Sequence, residues 1–110
     1  MLFEAGDADG ACNRAYYAMF DAARALLISA GQEVGKTHSS VISAFGNSFV
    51  KKGIFSPEMG RILREAEAFR MAADYRGSSV QLSDAKTIVD EALSFVDKAK
   101  THRASLDHLG

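Results

Sequence analysis

Arg70 and Asp74 are four residues apart, a spacing that puts both side chains on one side of a helix. If that side faces a groove, the planar fork of Arg70 suits a phosphate, and Asp74 would orient the guanidinium. If it faces solvent, the same two residues form an intrahelical ion pair worth only about 0.3–0.5 kcal/mol. A second polar row lies upstream. At about 100° per residue, Asn13, Tyr17 and Arg24 fall near Phe20 on one helix, with Arg14 and Asp21 just outside them. Polar groups at the margin of a buried face must find partners. Such a row either fixes how helices pack or lines a polar groove between helices or subunits. His38 is expected in the first turn of another helix, where it is a candidate base or a satisfied cap-region side chain. His102 and His108 read as solvated, Lys51 and Lys52 as a solvated helix end, and Cys12 as a small core residue rather than a nucleophile. Tyr16 and Tyr17 read as core aromatics with hydrogen-bonded hydroxyls.

Other chemistry is poorly represented. There is no phosphate-binding glycine loop ahead of Lys and Ser or Thr, and no pair of histidines one turn apart. One cysteine and three scattered histidines make no recognisable zinc site, so no metal and no cofactor is expected. Thirteen basic against fourteen acidic residues make no general nucleic-acid-binding surface, so any RNA or nucleotide site must be a local groove.

The elements that would position these residues are helices. The chain has 110 residues, 47% of them hydrophobic and 25% charged, which suits a single domain with an ordinary core. Tyr16, Phe20, Ala23 and Leu27 recur at helical spacing and predict a first helix from about 9 to 30, near the centre of the molecule, with Gly31 as its stop. Thr37 is the expected cap of a second helix carrying Val41, Ile42, Phe45 and Phe49. Its interior is weakened by Gly46-Asn47, and it ends at Lys51-Lys52-Gly53. Ser56-Pro57-Glu58 opens a third helix with the stripe Met59, Ile62, Ala66, Phe69 and Ala73, and Gly77 follows it. A fourth is expected from about Ser83 to His102, with Ile88, Ala92, Phe95 and Ala99 inward and a fraying tail from 101 to 110. No segment alternates at period two over a useful length. The expectation is one all-α domain over 1–110, ordered from about 9 to 102. It would be an up-and-down bundle of four to five helices. Without a run of 18 apolar residues or a signal peptide, and with a lone cysteine, a cytoplasmic protein without a membrane span is expected.

Several stretches carry a family resemblance. Asn13-Arg14-Ala15-Tyr16-Tyr17-Ala18-Met19-Phe20 with Ala25-Leu26-Leu27 resembles the opening signature of HEPN domains. Lys36-Thr37-His38, leading to Phe45 and Phe49-Val50-Lys51-Lys52-Gly53, fits the same family. So does Ala92-Leu93-Ser94-Phe95-Val96, and Arg70-Met71-Ala72-Ala73-Asp74-Tyr75 is similar to the Arg…Ala-Asp-Tyr element of one prokaryotic branch. The resemblance spans about residues 5 to 98. It implies an all-α bundle that forms dimers or higher oligomers. It further implies action beside a minimal nucleotidyltransferase in a toxin–antitoxin pair, and a nucleotide-binding role. Other members with an Arg-x4–6-His motif cut RNA without a metal. Arg70 matches the family's arginine, but Tyr75, Arg76 and Gly77 occupy the places where the histidine would stand. The resemblance also implies a further helix ahead of the Tyr-Tyr signature. Only about a dozen residues precede it here, which implies a shortened start or a partner chain over the exposed face.

Three readings follow. In the first, the protein is an oligomeric binding module whose groove is built from Asn13, Arg14, Tyr17, Arg70, Asp74 and Tyr75, for a nucleotide or a nucleotidyltransferase partner. Tyr75 is then also a candidate for modification by that partner. In the second, it is an RNA-cleaving toxin in which Arg70 stabilises charge on the phosphate and His38 or Asp74 serves as base. In the third, the polar rows are packing networks of a structural oligomer.

Overall fold

The computed structural model describes residues 8–76 and 81–109, with side chains at 8–72 and 81–106. Four helices follow one another: α1 (Ala8–Ser29), α2 (His38–Phe45), α3 (Pro57–Arg76) and α4 (Leu82–Leu109). No strand occurs among the described residues. The fold is the expected all-α bundle. Gly77, expected to follow α3, lies outside the described residues.

α1 is the central helix because its apolar face is wide. Ala11, Cys12, Ala15, Tyr16, Met19, Ala23, Leu26 and Leu27 are all buried, and the helix packs against α2, α3 and α4. α4 supplies the facing stripe of Ala85, Ile88, Ala92, Phe95 and Ala99. An aromatic cluster fills the end of the bundle: Phe45 stacks on Phe55 at 5.7 Å between ring centroids and leans on Phe95 at 5.3 Å.

The two glycine stops work by the same device. The Gln32 amide donates to the Leu27 carbonyl and the Gly31 amide to the Ile28 carbonyl, each at 3.0 Å. Ile54 donates to Phe49 at 2.9 Å and Gly53 to Val50 at 3.0 Å. This paired pattern closes a helix through a left-handed residue. Gly31 and Gly53 have φ of 81° and 75° accordingly. Thr37 caps α2 as expected, its hydroxyl accepting from the Ser40 amide at 3.2 Å. The Gly46-Asn47 interruption does not break the helix. The chain widens into a π-helical turn over Gly46–Val50, closed by Lys51 N–H donating to the Gly46 carbonyl at 2.9 Å. That turn keeps both Phe45 and Phe49 buried.

Two expectations are corrected at α4. The helix does not fray at 101 but continues to Leu109. Arg103 Nε donates to Ser29 Oγ at 3.1 Å, and Leu106 packs against the core. His102 is not solvated. It is half-buried, edge-on to Phe49 at 5.9 Å and Phe55 at 5.3 Å. Arg61 pairs with Glu58 and Glu65 along α3 and reaches Glu91 of α4 at 3.6 Å.

Candidate functional site

α1, the start of α2 and the middle of α3 bring four polar side chains together. Tyr16 comes from the inner face of α1 and is fully buried, its hydroxyl included. There it meets His38 Nδ1 at 2.9 Å and donates to Glu67 Oε2 at 3.2 Å. Glu67 Oε2 also lies 3.3 Å from His38 Nδ1. Arg70, one turn beyond Glu67, brings Nη2 to within 3.4 Å of the same nitrogen. Its guanidinium carbon sits 5.4 Å from the Tyr16 ring centroid and 5.9 Å from that of Tyr17.

Aromatic surface encloses this cluster on the α1 side. The His38 ring packs on Phe20 at 4.8 Å and stands perpendicular to Tyr17 at 5.7 Å. Tyr17 remains 39% exposed, so one ring of this wall is open to solvent. Arg24, one turn past Phe20, holds a buried Nε with no hydrogen-bond partner among the described residues. Buried donors of that kind are uncommon. Burial raises the Tyr16 hydroxyl well above the ordinary phenol range, and the neighbouring Glu67 charge adds to the effect while Arg70 opposes it. Tyr16 therefore keeps its proton at neutral pH.

The cluster joins residues that the sequence treated separately. His38 and Arg70 are 32 positions apart yet adjacent. Tyr17 belongs to the same site, and the hydroxyl of Tyr16 is bonded as its chemistry requires. Arg14 borders a groove of about 310 Å³ between α1 and α4, with Ala18, Val89 and Leu93. Asn13 lies exposed one turn before Tyr17. The side chains of Asp74 and Tyr75 lie outside the described residues. Glu67 is the member that sequence reasoning missed. A lone glutamate on a helix reads as solvated, and its contact with Tyr16 spans 51 positions. The available signal was its i, i+3 spacing from Arg70.

Chemically, the cluster offers a guanidinium held over two rings beside an imidazole, which suits an anionic phosphate group. Among the described residues no group of three or more His, Cys, Asp or Glu could hold a metal ion. No helix among them is long and apolar enough to cross a membrane.

Comparison with known proteins agrees with this architecture. The chain is 38% identical over 100 residues to "Putative toxin MJ0605" of Methanocaldococcus jannaschii, covering 91% of this chain and 74% of that protein. It is 36% identical to the UPF0332 protein glr0978 of Gloeobacter violaceus, covering 83% and 73%. It is 30% identical to "Putative toxin MJ0142" of Methanocaldococcus jannaschii, covering 88% and 66%. The family model described as "HEPN domain" matches residues 1–102. With four helices, a central Tyr-Tyr helix and nearly the whole length matched, the chain belongs to the HEPN-domain family.

Proposed function

We propose that this HEPN-domain protein is of the toxin type and binds the phosphate of a nucleotide or an RNA strand at the polar cluster where α1, α2 and α3 meet. One observation carries the reading: the Arg70 guanidinium stands over the rings of Tyr16 and Tyr17 and beside His38. A planar fork steadied by aromatic faces loses little freedom when it closes on phosphate oxygens. Arg24 adds a second donor on the same face of α1 as Tyr17 and Phe20, and the exposed Tyr17 ring gives a base a surface to meet. The names of two relatives support the toxin class. A minimal nucleotidyltransferase as partner, and self-association, complete the reading. The exposed apolar groove between α1 and α4, where Leu93 is 65% exposed, supports the latter.

The test is calorimetric titration of the intact protein and of Arg70→Ala with ATP, AMP and a short RNA. Binding weakened at least tenfold in the variant, about 1.4 kcal/mol, is the expected result. Equal binding by both proteins, or none by the intact one, overturns the reading. A second reading, metal-independent RNA cleavage, is favoured by the adjacency of His38 and Arg70, because it places a candidate acid–base group beside the phosphate grip. RNA cleavage in EDTA that disappears in both Arg70→Ala and His38→Ala would establish it. Intact RNA throughout would leave the binding role alone.

A further inference from the structure

We infer that Glu67, together with the Tyr16 hydroxyl, fixes His38 as the tautomer protonated on Nδ1, which makes Nε2 the proton-exchanging atom of the site. The hydrogens available at the cluster decide the tautomer. The phenol has one proton to give. An ionised Glu67 can only accept, and Tyr16 donates to its Oε2 at 3.2 Å. The same hydroxyl oxygen lies 2.9 Å from His38 Nδ1, and that contact is a hydrogen bond only if the nitrogen brings its own hydrogen. The carboxylate imposes the same requirement directly, because Glu67 Oε2 stands 3.3 Å from Nδ1 and a bare nitrogen lone pair there would face a negative oxygen. Arg70 Nη2 alone would favour the opposite arrangement. At 3.4 Å it is the longest of the three approaches and exceeds the usual N–H···N reach. A buried hydroxyl that holds its proton strengthens the chain, since Tyr16 stays a donor to Glu67.

The consequence lies on the other edge of the ring. His38 is half-buried, and its Nε2 makes no hydrogen bond to any described residue. In the assigned tautomer Nε2 carries a lone pair. It therefore takes a hydrogen from a ligand rather than giving one. A phosphate oxygen suits Arg70, and a hydroxyl neighbouring that phosphate suits Nε2. The ligand class is then a phosphate ester that carries a free hydroxyl. Glu67 and Tyr16 are positioning residues, acting on the ligand only through His38. The role of Nε2 rests on the phosphate-binding reading above, but the tautomer does not.

The experiment is long-range nitrogen–proton NMR of the uniformly labelled, ligand-free protein at about pH 8, above the usual histidine range. The three histidines are separated by the signal that His38→Gln loses. The expected spectrum places the hydrogen on Nδ1 and the unprotonated signature on Nε2. In Glu67→Ala the Tyr16 proton is released to turn toward Nδ1, and the hydrogen of the ring moves to Nε2. A hydrogen on Nε2 in the intact protein overturns the inference, whether or not the variant folds. So does an Nδ1 hydrogen that survives in Glu67→Ala. Because no ligand is present, a failure of phosphate binding leaves this result standing, and the reverse also holds.

Discussion

At the scale of single residues, burial decides chemistry. Cys12 lies 1% exposed in the core face of α1. Burial, with the Asp9 charge as a smaller contribution, pushes its thiol up to about 11 from 9.0. The thiol is neutral in both folded and unfolded chains below about 9, and its contribution to stability is then complete. Between about 9 and 11 the unfolded chain ionises first, so stability falls as pH rises through that window. Urea unfolding across this range should show an alkaline decline that Cys12→Ala reduces, and a thiol reagent near neutral pH should leave the folded protein unmodified. An equal decline in both proteins would assign it to other groups. The buried thiol was legible from the stripe it belongs to. The role of Glu67 was not, because no local pattern distinguishes a glutamate that reaches a distant hydroxyl from one that reaches water.

At the scale of elements, the helix ends carry most of what the sequence announced. Gly31 and Gly53 were readable as stops because glycine alone enters the left-handed region without cost. A Cβ at either site meets nothing within 4 Å, so the penalty of substitution is conformational and not steric. Gly31→Ala and Gly53→Ala are each expected to cost about 1–2 kcal/mol in urea unfolding. No loss at either would mean that the turn can relax to another closure. The starts of α2 and α3 were equally legible, from a threonine cap and from a proline at the first helical position. Two features of the helices were not. The π-helical turn at Gly46–Val50 accompanies the seating of Phe45 and Phe49 in the aromatic cluster, which local propensity does not encode. The far end of α4 depends on its contacts with Ser29 and the core. Leu106 continues the stripe that runs through Ala99, and that spacing was the overlooked sign.

At the scale of the whole molecule, an apolar groove lies open along α1 and α4 among the described residues. If a second copy covers it, Leu93→Glu should abolish self-association in sedimentation equilibrium. Its melting should stay within about 0.5 kcal/mol of an intact monomer, since the side chain is exposed. A mass unchanged by the substitution would move the interface elsewhere. The length of α4 has a different consequence. At 28 residues it spans about 42 Å, nearly the full 44 Å of the longest dimension, against 26 and 20 Å across. α4 therefore defines the long axis, and a single copy tumbles as a rod-like body, slower end over end than about its length. Amide vectors along α4 point down that axis. In a monomer their transverse relaxation should be faster than that of amides in loops lying across it, so the relaxation rates would report how α4 lies relative to the long axis.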